Sequence, residues 1–158
     1  MVRQILDFFD NALRAVAALC LVVLTGLVLY QVISRYLFGW VPLFTEETAR
    51  YAMIWMALLA AAAGVREAAH IRIDFVPNGI SAVSPVARRV LDVLLDVISL
   101  TVFLVLIWYG VDTMMFADGQ TSEGMRIPLS YPYSVVPIAF FFAAVFAALR
   151  IVAGTRKS

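Results

Sequence analysis

Cysteine and histidine are almost absent from this chain of 158 residues, which contains one of each. With Cys20 alone, no disulfide can form within the chain, and a zinc site lacks its usual cluster of ligands. With His70 alone, the chain has no pair of axial ligands for the haem of a membrane redox complex. No glycine-rich phosphate-binding loop occurs either. We therefore expect no catalytic residues, no cofactor, no metal and no nucleic-acid partner.

Charged residues are also scarce, at 15% of the chain, against about 25% in soluble domains. Four stretches contain none: Ala15–Ser34, Tyr51–Val65, Val97–Val111 and Ile127–Leu149. A helix needs about 20 residues to cross the hydrocarbon core of a bilayer. The first and last stretches are long enough alone, and the second gains length when its flanking Arg side chains reach the headgroups. The sequence therefore predicts an all-α integral membrane protein with four transmembrane helices.

The predicted spans cover approximately residues 12–35, 47–67, 91–112 and 133–152. Because these spans and their short connections use up the chain, we expect one four-helix domain over residues 1–158. Asp92 and Asp96 lie one turn apart at the start of the third span. We expect them to be a solvated or salt-bridged pair at the interface rather than an ion site.

Basic residues are distributed unevenly between the connections. Nine of the twelve Lys and Arg residues fall in the N-terminal segment, the central connection and the C-terminal segment. The other three, Arg35, Arg50 and Arg126, fall on the opposite side of the predicted membrane. Because Lys and Arg collect on the cytoplasmic side, we expect both termini and residues 66–89 to be cytoplasmic.

Short interfacial helices are predicted beside the spans. Apolar residues recur at helical spacing near the N-terminus, which indicates an amphipathic lead-in to the first span: Val2, Ile5, Leu6, Phe9 and Leu13. Pro85 is expected to open a helix that follows the membrane surface before it turns in. Thr45 is predicted as the N-cap of the second span. The last span should begin near Ser134, with Pro137 in its first turn.

Small residues form a stripe on each of two spans. They lie four apart, as Ala60, Gly64 and Ala68 on the second span and Ala139, Ala143 and Ala147 on the fourth. Small residues let membrane helices approach closely. Each stripe faces either another helix of this chain or a second protein, and the sequence leaves both alternatives open.

Several segments together resemble one family, the small (Q-type) membrane subunit of tripartite ATP-independent periplasmic (TRAP) transporters. The first ends the first span as Arg35-Tyr36-Leu37-Phe38-Gly39, and the second opens the next span as Thr45-Glu46-Glu47-Thr48-Ala49-Arg50-Tyr51, followed by Trp55. The third is Ala69-His70-Ile71-Arg72-Ile73-Asp74. The segments Trp108-Tyr109-Gly110 and Ile127-Pro128 and the region of Pro137 are similar too, so the resemblance covers almost the whole chain.

This resemblance implies the small permease subunit of a sodium-coupled importer of organic acids in the bacterial inner membrane. In that family a soluble periplasmic protein captures the substrate, and a large membrane subunit carries it with sodium ions. The small subunit supports the large one in a stable complex and helps to dock the binding protein transiently. Membrane lipids would be its other partners.

The candidate residues for partner contacts are Arg35, Glu46, Glu47, Arg50, Trp55, Ala60, Gly64, Ala68, His70 and Asp74. Glu46 and Glu47 either contact a partner or only complement the helix dipole and pair with Arg35 or Arg50. Trp55 is expected to be an interfacial anchor or a packing residue. His70 and Asp74 are either solvated or in a structural or partner role.

Two functions from other classes are alternatives. One is a small self-assembling four-span transporter, but small exporters of that kind carry an acid in the middle of the first span, and Ala15–Ser34 has none. The other is a membrane anchor of a redox complex, which the single histidine opposes. An accessory subunit agrees best with a chain that needs interfaces and lacks a reactive site.

Overall fold

A computed structural model describes residues 2–67 and 85–155, and its regular elements are helices. They are α1 (Val2–Phe38), α2 (Leu43–Glu67), α3 (Pro85–Ala117), the short α4 (Ser130–Tyr133) and α5 (Val135–Thr155). Four segments are long and apolar enough to cross a membrane: Leu6–Phe38, Leu43–Arg66, Val93–Ala117 and Ser130–Val152. The prediction of an all-α protein with four membrane-spanning helices is confirmed.

The helix α1 is continuous from Val2 to Phe38, so the predicted lead-in is the first part of α1 rather than a separate helix. Its apolar residues Leu6 and Leu13 pack in the helical core, which stabilises helix beyond the charge-free stretch. The helix ends at Gly39, whose φ of 67° lies in the left-handed region that glycine adopts without steric cost. The Ser34 hydroxyl donates a hydrogen bond to the Trp40 carbonyl oxygen at 2.8 Å.

The helices pack in the order α1, α2, α5, α3, with α1 and α3 at the two ends of the row. The centre of the row is an interface of mainly small side chains between α2 and α5: Leu59, Ala62, Ala63, Val135, Ala139, Ala143 and Phe146. Helices in a bilayer associate by close packing, since lipid is as apolar as their side chains. The small side chains at this interface therefore allow α2 and α5 to pack closely.

The helices α3 and α5 pack closely at Gly110. A Cβ at this position would lie 3.0 Å from Cγ1 of Val136 and 3.2 Å from both Cδ and the backbone nitrogen of Pro137. Pro137 lies in the first turn of α5, as predicted, and α5 begins at Val135. The glycine therefore allows α3 to pack directly on the start of α5.

The small-residue stripe of the fourth span faces the interior of this chain. Ala139, Ala143 and Ala147 are at most 2% exposed. A second protein therefore does not contact this stripe, and of the two alternatives left open above, the structure selects a neighbouring helix of the same chain. On α2, in contrast, Ala60 is exposed and Gly64 has open space around its Cβ position.

Charged side chains join the helices at the end of the molecule formed by the start of α1, the end of α2, the start of α3 and the end of α5. We call this the terminal end. The Arg66 guanidinium pairs with Asp7 and lies 3.4 Å from the Asp10 carboxylate, and Asp10 also pairs with Arg14 at 3.1 Å. These pairs connect α1 to α2.

A second ion pair connects α3 to α5 at the same end, between Asp96 and Arg150. Asp96 is buried, so the prediction of a salt-bridged acid holds for this residue, while the side chain of Asp92 lies outside the described part. Charged groups on membrane helices are costly unless they find partners. Both ion networks therefore allow charged residues to lie next to the apolar core.

Candidate functional site

The opposite end of the molecule consists of residues 39–50 and 118–134, and we call it the loop end. Residues 120–129 form a tight hairpin loop in which Leu129 N donates to Gln120 O and Ser122 N to Ile127 O, each at 2.9 Å. Arg126 N donates to Ser122 O at 3.1 Å, and Arg126 has a φ of 54°. That left-handed conformation is uncommon for a residue with a side chain. The loop is therefore compact and defined by its own backbone hydrogen bonds.

The start of α2 lies beside this loop. The helix begins at Leu43, so Thr45 lies inside its first turn, and the prediction of Thr45 as the N-cap is wrong. The Thr45 side chain is fully buried, and its hydroxyl donates to the Pro42 carbonyl oxygen at 2.6 Å. The helix begins two residues before Thr45, at the apolar residues Leu43 and Phe44. The hydroxyl of Thr45 links this first helical turn to Pro42 in the preceding connection.

Glu47 connects α2 to the loop. Its Oε2 atom accepts hydrogen bonds from the Ser122 hydroxyl and from the backbone amides of Gly124 and Met125, the amides at 2.9 and 3.0 Å. Its Oε1 atom accepts from the Tyr51 hydroxyl at 3.3 Å. Four donors from two separate parts of the chain therefore converge on one carboxylate.

Gly124 lies close to the start of α2. A Cβ at this position would lie 2.8 Å from Glu47 Oε2 and 3.1 Å from the Leu43 carbonyl oxygen. Thr48, the residue after Glu47, adds a further contact with the loop, because its Oγ1 atom lies 3.0 Å from the sulfur of Met125. A side chain at position 124 would therefore force the Glu47 carboxylate or the loop to shift.

Glu46 and Arg50 differ from Glu47 in that both are exposed. Their side chains are 65% and 60% exposed and lie 3.8 Å apart, one helical turn from each other. An exposed pair of this kind contributes about 0–1 kcal/mol. Arg35 is likewise exposed, in the last turn of α1. These three charges remain accessible to a partner.

Trp55 faces the interior of the chain. Its indole Nε1 donates to the Pro132 carbonyl oxygen at 3.2 Å, and its ring packs against the core. Between the start of α2 and the loop is a cavity of about 350 Å³, whose lining includes Arg50, Tyr51, Gln120, Glu123 and Tyr133. The cavity is thus bounded by both of the elements that Glu47 joins.

One face of α2 is open along its length. Its residues recur at helical spacing and are exposed or, for Gly64, half-buried: Glu46, Arg50, Met53, Ala57, Ala60, Ala61 and Gly64. We call these residues the open face of α2. The candidates Glu46, Arg50, Ala60 and Gly64 share this face, whereas Glu47 and Trp55 point elsewhere.

The remaining candidates, Ala68, His70 and Asp74, lie outside the described residues. In residues 2–67 and 85–155, no group of three or more His, Cys, Asp and Glu side chains is arranged to hold a metal ion. Ser122, Gly124 and Met125 were not identified from the sequence, because they lie more than 70 residues from Glu47. The glycine after two polar residues signals a turn there, but nothing in the sequence connects that turn to α2.

Comparison with known proteins gives a family for this chain. The family model described as tripartite ATP-independent periplasmic transporters, DctQ component, matches residues 24–157. The isethionate TRAP transporter permease protein DctMQ of Oleidesulfovibrio alaskensis is 30% identical over 128 residues, which are 78% of this chain and 20% of that protein. The chain therefore spans only a fifth of the length of this relative.

Two Haemophilus influenzae proteins named as TRAP transporter small permease proteins are also similar. One is 22% identical over 151 residues, covering 93% of this chain and 89% of that protein. The other is 29% identical over 100 residues, covering 63% and 60%. Together with the four membrane-spanning helices, these matches identify a multi-pass protein of the bacterial inner membrane. The chain belongs to the DctQ component family of tripartite ATP-independent periplasmic transporters, and it is a small permease subunit of that class.

Proposed function

We propose that this chain is the non-enzymatic scaffold of a three-part, sodium-coupled importer of organic acids. In this proposal it holds the large membrane subunit, and its loop end faces the periplasm and helps to dock a substrate-binding protein. The name of the Oleidesulfovibrio relative refers to isethionate, an organic sulfonate. That name supports an organic acid as the class of substrate and leaves the individual acid open.

The distribution of charge carries the proposal. The charge-free stretches Ala15–Ser34, Tyr51–Val65, Val97–Val111 and Ile127–Leu149 leave the Asp, Glu, Lys and Arg residues near the two ends of the helices. Transporters place substrate and coupling-ion sites near the middle of the bilayer, with convergent polar groups or broken helices. A chain without charged side chains at that depth needs another subunit to carry both substrate and sodium.

The open face of α2 is the surface that we assign to the large subunit. Its small residues Ala57, Ala60, Ala61 and Gly64 allow close helix contact, and the Gly64 Cβ position has nothing within 4 Å. In the isethionate relative, the region similar to this chain is part of a far longer polypeptide. That covalent arrangement supports a stable association between a small and a large membrane part.

The loop end is the surface that we assign to docking. Glu46, Arg50, Glu123 and Arg126 are exposed there, beside the cavity described above. Charges of both signs at a rim favour specific orientation and rapid association more than raw affinity. A transient partner such as a periplasmic binding protein fits these properties.

Reconstitution tests the proposal directly. The chain should be placed in liposomes with an inward sodium gradient, alone or together with the large subunit, and supplied with the purified binding protein and its organic acid. We expect uptake only when all three proteins are present, and no more than in empty vesicles for this chain alone. Sodium-driven uptake by the chain alone would contradict the scaffold role and favour a self-assembling transporter.

A further inference from the structure

We propose that Glu47 is a positioning residue that clamps the 120–129 loop onto α2, and that it does not contact a partner itself. Its neighbour Glu46 is then the acid that remains available at the loop end. The inference deepens the proposed docking role and rests on it only for its effect on transport. The clamp itself is a property of this chain.

The hydrogen bonds of Glu47 leave it little capacity for a partner. A carboxylate has about four favourable acceptor positions, two on each oxygen. Ser122, Gly124 and Met125 all donate to Oε2, which fills that oxygen, and the Tyr51 hydroxyl takes one position on Oε1. Hydrogen bonds to an ionised acceptor are roughly twice as strong as neutral ones. A partner that bound Oε2 would have to displace the donors of the loop, which makes contact at this oxygen unfavourable.

The loop is also shaped around this carboxylate. A side chain at position 124 would displace either Glu47 Oε2 or the loop backbone, because the Cβ would lie 2.8 Å from that oxygen. Ser122, which donates to the same oxygen, is only 3% exposed, and Arg126 adopts its left-handed φ two residues after Gly124. The Ser122 hydroxyl and Gly124 thus meet at a single atom of Glu47, which supports a role of the carboxylate in fixing this loop conformation.

The clamp determines where the exposed charges of the loop lie. Glu123 and Arg126 flank the two residues whose amides Glu47 binds, and Glu123 also lines the cavity next to Arg50. If the amides are released, both charges and the cavity wall lose their fixed positions. Glu46 does not fix the position of the loop, since its exposed carboxylate lies 3.8 Å from Arg50 on the same helix.

Hydrogen exchange tests the clamp without any transport assay. In the purified complex of the two membrane subunits, Glu47→Ala should speed exchange of the Gly124 and Met125 amides by about tenfold or more, because a charged acceptor is lost. Glu46→Ala is the matched control, with the same change of charge one residue away, and should leave these amides unchanged. Copurification with the large subunit checks that both variants fold. Unchanged exchange in Glu47→Ala would overturn the proposal.

A second variant breaks the clamp from the opposite side. Gly124→Ala forces a methyl group against Glu47 and should also speed exchange at Met125, while Gly119→Ala, which has open space, should not. In reconstituted vesicles, we expect Glu47→Ala and Gly124→Ala to raise the concentration of binding protein needed for half-maximal uptake by a similar factor, several-fold or more. Glu47→Gln, which keeps one oxygen acceptor, should give a smaller increase.

The outcomes separate the clamp from the docking role. If Glu47→Ala weakens uptake while Gly124→Ala changes neither exchange nor uptake, Glu47 contacts the binding protein directly, and the clamp proposal is wrong. If both variants speed exchange but leave the half-saturating concentration unchanged, the clamp is supported, and the docking role proposed for this end fails instead.

Discussion

Arg150 of α5 and Asp96 of α3 form an ion pair whose side chains are only 21% and 10% exposed. Removing one partner of a buried pair leaves a charge without compensation and typically costs about 3–5 kcal/mol. We therefore expect Asp96→Ala to lower the free energy of unfolding in detergent by about 3 kcal/mol, measured by chemical denaturation. The double variant Asp96→Ala with Arg150→Ala should lose less than the single variant. Equal losses in the two variants would show that the unpaired Arg150 has no destabilising effect of its own.

Gly110 provides a test of the contact between α3 and α5. Its added Cβ would meet the ring and backbone of Pro137, neither of which can rotate away. Overpacking costs about 1–3 kcal/mol, while Gly→Ala in a helix gains up to about 1. We expect Gly110→Ala to destabilise the chain by about 1–2 kcal/mol in thermal or chemical unfolding. Gly26→Ala, in open space on α1, is the control and should be neutral or stabilising.

Gly64 provides a test of the open face of α2. Because nothing lies within 4 Å of its Cβ position, Gly64→Leu should leave the isolated chain folded, with an unchanged elution volume. In contact with the large subunit, the added side chain should cost about 1–3 kcal/mol and reduce copurification. Gly26→Leu adds the same bulk to α1 and should copurify normally. Normal recovery of the Gly64→Leu complex would mean that this face contacts lipid.

Membrane orientation can be tested with single cysteines in a Cys20→Ala background. Gly119→Cys at the loop end should react with a membrane-impermeant thiol reagent in intact cells, and Asn78→Cys in the central connection should react only after lysis. Gly39 is less suitable for labelling, because its positive φ is unfavourable for cysteine. Labelling of Asn78→Cys but not of Gly119→Cys in intact cells would reverse the orientation.

The four membrane helices were predictable, because absence of charge over 15 to 23 residues is a direct requirement of the bilayer. The limits of the helices were less so. At Val2–Leu13 the chain stays helical outside the charge-free stretch, since Leu6 and Leu13 continue to bury apolar surface. The periodicity of apolar residues predicts a helix. It does not predict whether that helix ends at the edge of the hydrocarbon core or continues beyond it.

The sequence also could not predict which side of each helix faces the interior of the chain. Ala60 and Ala139 belong to stripes with the same spacing, yet Ala60 is exposed and Ala139 is buried in the core between α2 and α5. Likewise Glu46 and Glu47 are identical side chains next to each other, and a turn of about 100° per residue directs one to solvent and the other to the loop. Both distinctions depend on tertiary contacts between segments that lie far apart in the sequence.

The ion pairs of the terminal end have a consequence for the order of assembly in the cell. Arg66 pairs with residues of α1, and Arg150 with a residue of α3, so each of these ion pairs lies within one helical hairpin. The ribosome releases α1 and α2 first, and this hairpin can insert with the ion pairs of Arg66 already formed before α3 is synthesised. The hydrogen bonds of Trp55 and Glu47 to the later half form at the loop end once α3 to α5 arrive. The hairpin of α1 and α2 can thus insert first and the hairpin of α3 and α5 second, each with its own interhelical ion pair formed.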